Sequence, residues 1–452
     1  MSNFDIVIVG ASTSGSYFAR RMAEKGFSVL AIEKDCREKI SPDYDIFHMD
    51  KGDMIQFSLP DPDDRSAAFE FEDTAVLSSL GNHPKPAKNP VVGMHKREYI
   101  QQLNDWAVAA GAKIEYEATF SDFIYDGNGR VCGVTYLKNG ETFTVNCRLV
   151  ADCSGIPAVA RRRLPDGYGM EKFELTPDDV FFVVLKYIKF AEEKPRRLRS
   201  DSWIFYKAWL APSSDDADGI LGIGSNFGYD YAEKMFDLLT KNVKFDPYTI
   251  VRTERGMTPY HRPPFSFAAD GFVAMGDSAC LTKPTCGEGC TSAMVLIDIV
   301  TDVAGKAMQN GAYPTRESLW SINKRYVDAQ GKDFAFMLAL LCGVIRHSVE
   351  ANEYLFAHDI IFSKKILGGM GEINLTVGDI CKMIYYILTG LASGKLKSSE
   401  IKCVFGGLLN GLKIMSHYSK YPEKTSDFDN WVKKAEALWK KAGSMSDWKL
   451  LK

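Results

Sequence analysis

The chain has 452 residues, too many for one simple core, so two or three domains are expected. Hydrophobic residues make up 46% and charged residues 25%, the profile of a folded globular protein and not of a disordered or fibrous one. Lys and Arg number 55 against 58 Asp and Glu, a formal charge of −3 that excludes a globally basic surface and, with it, nucleic acid as the expected partner.

The first element, "DIVIVG" (5–10), is a continuous apolar run, expected as a strand buried on both faces and too short for the apolar core of a signal peptide. Helical spacing follows in "SYFARRMAEKG", closed by Gly26, and "SVLAIEKD" reads as a second strand. Residues 41–92 are rich in Pro and Asp and are expected to be irregular loops around a site. "KREYIQQLNDWAVAAG" (96–111) predicts a helix ending at glycine; 113–155 alternates as a β-meander turning at "DGNGR". Further strands are expected over 178–226, and helices from 315 onward. The longest strongly apolar stretch, "FAFMLALLCGVI" (334–345), falls short of the ~20 residues a membrane-spanning helix needs. With no export signal and no span, the expected location is intracellular, in the cytoplasm. Ten cysteines without a CxxC pair then read as small buried thiols.

"GASTSG" (10–15) fits G-x-G-x-x-G with Ser12 in place of the middle glycine. Gly10 allows the tight turn, a small Ser12 lets a pyrophosphate approach the backbone, and Gly15 allows close helix–strand packing. The helix starting here, with Ser14 in its first turn, offers unpaired N–H groups and a positive dipole end to phosphate. Glu33, followed by Lys34, closes the second strand eighteen residues after Gly15, where a carboxylate binds ribose hydroxyls. The motif predicts dinucleotide binding.

"GFVAMGDSACLTKPTCGEGC" (271–290) runs apolar strand, Gly-Asp, Pro-x-x-Gly-x-Gly, and then an apolar helix. It resembles the second FAD motif of the p-hydroxybenzoate hydroxylase-like flavoproteins. The resemblance implies that Asp277 binds the ribityl chain and that the loop Pro284, Gly287, Glu288, Gly289 passes the isoalloxazine ring. "RLVADCSGIPAVARRRL" resembles the Asp-Gly motif of the same proteins, with Asp152 and Gly155 matching and Cys153 in the usual glycine's place. Arg97 stands where these proteins place an arginine near the cofactor phosphates. "GGMGEI" (368–373) has no preceding strand and reads as a loop, so no nicotinamide fingerprint is found.

"WLAPSSDDADGILGIG", "RGMTPYHRPPFSFAADGFVAMGDSACLTKPTCGEG" and "YPEKTSDFDNW" resemble, in order, segments of the geranylgeranyl reductase family. That resemblance implies an α/β fold: a Rossmann-like FAD domain of the glutathione reductase/p-hydroxybenzoate hydroxylase type (1–175 and 260–325), an inserted antiparallel-sheet substrate domain (176–259) and a helical C-terminal region (326–452). It implies hydride transfer from reduced FAD to carbon–carbon double bonds of an apolar isoprenoid, with ferredoxin or another reduced carrier as electron donor. Tyr206, Trp209 and Pro212 are then expected to wall the substrate pocket, the alternative for Trp209 and Pro212 being plain core. The family's tyrosine before the tryptophan is here Lys207, its phenylalanine is Ala211, and its Pro-Cys-Gly segment near the flavin is absent from "SPDYDIFHMDKGDM". An oxygen-activating monooxygenase or halogenase is the enzymatic alternative, although the two tryptophans of "WIFYKAW" stand six apart. An isoprenoid escort protein is the non-enzymatic one.

Cys280, Cys286 and Cys290 fit no zinc spacing, so no metal is expected. Cys286 and Cys290 remain redox or active-site candidates, and His261 a candidate general acid, against the blander readings of space-filling thiols and a structural histidine. Residues 395–452 carry twelve Lys and six Asp/Glu, and Trp431, Ala435, Leu438 and Ala442 follow helical spacing. The readings are peripheral contact with anionic lipid, or a solvated helix packed on the body of the protein.

Overall fold

The computed structural model describes residues 2–41, 43–192, 199–214, 216–344, 348–360 and 377–443. "GGMGEI" lies outside the described residues.

Apolar runs of four β-forming residues, too short for helices, make the central sheet. Its strand order is Ala268–Ala269, Phe272–Ala274, Leu149–Asp152, Ile6–Val9, Val29–Ile32, Lys113–Glu115, parallel except for the first pair. The register sets Val9 beside Asp152 and Ile32, and Asp152 beside Ala274. The residues that leave these strands, Gly10, Glu33, Cys153 and Met275, therefore share one edge. In such a sheet that carboxyl edge is where ligands bind.

The helices Thr13–Ala23, Lys96–Ala109 and Cys290–Ala307 bury their apolar sides against this sheet in one core. The meander Thr119–Tyr125, Val131–Lys138, Glu141–Asn146 forms a small separate sheet. Gly129 supplies the left-handed φ of 75° at its first turn.

The second large sheet has eight strands: Tyr248–Pro259, Val180–Phe190, Gly219–Ser225, Ala208–Ala211, Arg199–Trp203, Ala67–Leu77, Lys85–His95 and Ile46–Asp50. Three of them come from 41–95, so that stretch is not the set of irregular loops its composition predicts. Its Pro and Asp cluster lies between strands at 60–64, while "AAFEFEDTAVL" alternates and pairs with Arg199–Trp203 over 120 residues away in sequence. The helix Tyr229–Asn242 covers one face of this sheet through Val184, Ile188, Leu221 and Ile223. The other face carries Phe69, Phe71, Val91, Leu185, Tyr187 and Trp209.

Helices follow from 316. The stripe Trp431 and Ala435 is buried against Phe265 and Trp320, so the apolar face of Phe428–Ala442 is spent on the body of the protein. Among the described residues no helix is long and apolar enough to cross a membrane.

Candidate active site

The glycine loop is packed against the neighbouring strand exit. Gly10 has φ +98°, and a Cβ there would lie 2.4 Å from the carbonyl oxygen of Cys153; one on Gly15 would lie 1.9 Å from that of Gly10. No side chain can stand at either position, so the backbone at the start of Thr13–Ala23 is bare. That helix has no acid in its first turn, and Ser12 makes no capping bond to it. Glu33 is buried beside the loop, accepting from the Ala11 N–H at 2.9 Å and the Asp35 N–H at 3.1 Å. Lys34 instead pairs with Asp35 at the surface.

Asp152 is fully buried, and its two oxygens accept the N–H groups of Ser154 (2.9 Å) and Arg161 (2.6 Å). Its carboxylate holds the backbone past the strand, including Gly155 with its left-handed φ of 79°. Arg97 sits in the first turn of Lys96–Ala109, and its buried Nε has no hydrogen-bond partner. Leaving such a group unpaired costs ~1–3 kcal/mol, so the site suits an anion.

The 276–290 segment closes the site. Gly276 has φ +66° and its Cα lies so near Ser14 that a Cβ would come within 2.7 Å of the hydroxyl oxygen. Asp277 follows. Burial, and Asp43 nearby, push its carboxyl up to about 6, with the Thr282 hydroxyl and Lys96 acting the other way. The loop folds on itself through Lys283 N–H to the Glu288 carbonyl (2.7 Å) and Gly287 N–H to the Lys283 carbonyl (2.9 Å). The Glu288 side chain accepts the Thr291 N–H at 2.6 Å and pairs with Lys283 at 3.0 Å. Thr291 in turn donates to Asp53 at 2.6 Å. Glu288 thus caps the Cys290–Ala307 helix. Tyr260 donates to the Pro284 carbonyl at 2.6 Å and anchors the loop from outside.

The Tyr44 and His48 segment, which carries no recognisable motif, also borders this loop. The Lys96 ammonium lies 3.7 Å from the Tyr44 ring centroid and pairs with Asp43 at 2.8 Å. His48 keeps accessible surface although protein encloses it; burial holds its imidazole below the ordinary value, with Glu288 opposing. Only pairing of its strand, His48 opposite Gly93, brings it to the sheet face that carries Phe69 and Phe71.

That face is floored by glycines. A Cβ on Gly222 would lie 2.2 Å from the Trp209 indole, and one on Gly224 2.0 Å from the Phe181 ring. Trp209 therefore stands on the aromatic face. Tyr206 does not: it is buried on the opposite side, in the core under Tyr229–Asn242, its hydroxyl donating to the Ser79 carbonyl and accepting from Asn242, each at 2.9 Å. The turn Ile204–Tyr206, followed by Lys207 at φ +51°, swings it there. Pro212 is buried at the end of the same strand as Trp209.

The catalytic candidates fare differently. His261 donates from Nδ1 to the Arg262 carbonyl (2.7 Å) and packs on Phe173; burial and the Arg262 charge hold its pKa down. It is placed with Glu171 and Arg262 and not against Pro284–Gly289. Burial and the Glu288 charge raise the Cys286 thiol and push that of Cys290 up to about 12, so neither is a ready thiolate. Cys280 is buried at a left-handed φ of 54°. Among the described residues the one His/Cys/Asp/Glu group with converging ligand atoms is Asp45, His95 and Glu98, where Asp45 pairs with His95 at 2.9 Å and Arg252 at 3.2 Å.

No family model matches the chain. A digeranylgeranylglycerophospholipid reductase of Methanocella arvoryzae is 25% identical over 358 residues, spanning 72% of this chain and 86% of that protein. The crystal structure of a geranylgeranyl bacteriochlorophyll reductase-like protein from Thermoplasma acidophilum superposes with a TM-score of 0.71 at 18% identity, covering 88% of this chain and 100% of that one. Over most of its length the chain is thus similar to geranylgeranyl-type reductases. It is an oxidoreductase, and it shares the fold of that reductase-like protein. The flavin-dependent brominase Bmp2 shares that fold less closely, with a TM-score of 0.60 at 17% identity over 91% of this chain and 98% of that one.

Proposed function

We propose that the protein is an FAD-dependent reductase that saturates carbon–carbon double bonds of a geranylgeranyl-type isoprenoid lipid. The observation that supports this most is the aromatic, glycine-floored sheet face of Phe69, Phe71, Phe181 and Trp209. His48 beside it is held uncharged by burial, while the Lys207 ammonium stands 4.7 Å from the Phe181 ring centroid. The rings of such a face accept a hydrocarbon chain.

In this reading Gly10, Ser12, Ser14, Gly15 and the helix they open cradle the pyrophosphate, with Arg97 facing its charge. Glu33 would hold the ribose hydroxyls, Asp277 the ribityl chain, and Pro284–Gly289 the ring. Gly155 and Asp152 support that edge without touching the reacting atoms. Reduced FAD, when bound, supplies the hydride. An isolated alkene develops no oxyanion, so this chain's own contribution is to orient the substrate and exclude water. Trp209 and Phe181 act as walls, and Tyr260 holds the loop against which the substrate is pressed.

The division into an FAD domain (1–175 and 260–325), a substrate domain (176–259) and a helical region (326–452) belongs to the same proposal, with the 46–95 strands joining the substrate sheet. Electrons are proposed to arrive from ferredoxin or another reduced carrier, at a cytoplasmic site with the membrane as the source of lipid.

The test is anaerobic mixing of the reduced holoprotein with a geranylgeranyl lipid. Fast flavin reoxidation, with product masses raised by two per bond, is the expected result. Reoxidation by oxygen alone, with a hydroxylated or halogenated product and no response to the lipid, would overturn it.

A further inference from the structure

Sixteen large apolar side chains are exposed among the described residues, and six of them fall between 384 and 412. Ile384, Tyr385 and Leu388 share one side of the helix Val377–Ala392; Phe405, Leu409 and Leu412, spaced by four and three, form a stripe along Ser398–Tyr418. The other side of the second helix is spent on the core, where Gly411 abuts Phe336 and where Ile414 and Tyr418 are buried. Between the stripe and Phe428–Ala442 runs a groove of about 430 Å³ walled by Leu409, Leu412 and Leu438, with Lys413 and Lys420 on its rim.

The charge around these side chains is one-sided. Residues 377–422 contain six lysines and two acids, Asp379 and Glu400, and Glu400 is buried. Lys382, Lys395, Lys397, Lys402, Lys413 and Lys420 are all exposed. Leucines and aromatics with lysines about them match the boundary between acyl chains and anionic headgroups. A second copy of the same face would set lysine against lysine, which argues against self-association.

We propose that the outer faces of Val377–Ala392 and Ser398–Tyr418 dock the protein on the surface of an anionic lipid bilayer. This rests on the reading of the substrate as a membrane lipid. The docking face is one helix away from the flavin loop: Ser398–Tyr418 packs on Lys332–Val344, whose Leu338 clusters with Tyr260, and Tyr260 bonds the Pro284 carbonyl.

The experiment uses the full-length holoprotein and sedimentable vesicles of phosphatidylcholine with and without phosphatidylglycerol. Wild type is expected to sediment with the anionic vesicles and to be released by salt. The variant Leu409→Glu/Leu412→Glu, checked for retained flavin and unchanged thermal midpoint, is expected to lose about tenfold in vesicle affinity while reducing detergent-dispersed lipid at the wild-type rate. Lys413→Glu/Lys420→Glu is expected to weaken binding to anionic vesicles alone. The proposal fails if wild type stays in the supernatant, if the leucine variant sediments as well as wild type, or if sedimentation equilibrium shows a dimer that this variant dissociates. Vesicle binding without any isoprenoid reduction would leave the docking face standing and sink the reductase reading; reduction in detergent without vesicle binding would do the reverse.

Discussion

The hydroxyl of Tyr260 donates to the carbonyl oxygen of Pro284 at 2.6 Å, tying the last strand of the large sheet to the Pro284–Gly289 loop. The same ring meets Phe181 at a centroid distance of 5.4 Å, so it belongs to the aromatic face as well. Tyr260→Phe keeps that packing and removes the bond. We expect a stability loss of about 1 kcal/mol in urea unfolding, together with faster flavin loss on dilution. Unchanged flavin retention would show that the loop needs no such anchor.

Tyr206→Phe is the contrasting change. Its hydroxyl serves Ser79 and Asn242 in the core beneath Tyr229–Asn242. Stability is expected to fall by about 1 kcal/mol, with kcat and KM for the lipid unaltered. A changed KM would put Tyr206 back in the pocket.

Gly222→Ala drives a methyl group into the Trp209 indole. Overpacking of this kind costs about 1–3 kcal/mol and rotates the ring off the sheet into the space proposed for the substrate. Lower stability and a higher KM should appear together. Trp209→Leu in the same chain should restore the stability and not the KM.

Asp277 carries a pH signature in the cofactor-free protein. Burial first, and Asp43 second, raise its folded pKa to about 6 from the ordinary 3.8. A carboxyl whose folded pKa is raised destabilises the fold where it is ionised, so the penalty grows as pH rises from 3.8 and is complete above about 6. Asp277→Asn should therefore raise the thermal midpoint of the apoprotein at pH 8, leave it unchanged at low pH, and weaken flavin binding at both. Equal midpoints at pH 8 would refute the assignment.

His95 and Asp45 set a second pH dependence. The Asp45 hydrogen bond raises His95 against the effect of burial; Asp45 is lowered because the His95 bond and nearby charges outweigh its own burial. The His95 contribution is complete below its unfolded pKa of about 6.5 and is lost as pH rises through the higher folded value. The Asp45 contribution is present above its unfolded pKa and is lost as pH falls through the lower folded one. Stability should hence fall between pH 6 and pH 9 in wild type, and His95→Gln should flatten that slope in denaturant titrations.

How much of this was legible before folding follows from the range of the interactions. The carboxyl edge of the central sheet was: Gly10, Gly15, Glu33 and Asp277 sit in contiguous strand–turn–helix segments whose geometry is imposed by local backbone sterics and strand burial. The eight-stranded sheet was not, because the Ala67–Leu77 and Lys85–His95 pair joins it only through Arg199–Trp203 on one side and Ile46–Asp50 on the other, partners distant in sequence. His48 accordingly had no signal of its own. The side on which a residue lies follows spacing here: Trp209 and Tyr206 stand three apart, an odd offset that already points strand residues to opposite faces, and the turn Ile204–Tyr206 with a left-handed Lys207 keeps them there. The C-terminal tail shows where spacing stops. Its helical spacing in Trp431 and Ala435 was plain, but spacing does not say what covers an apolar stripe; Phe265 and Trp320 do. Local sequence determined where the carboxyl edge and its glycine loop lie, and long-range packing alone decided which side chains face them.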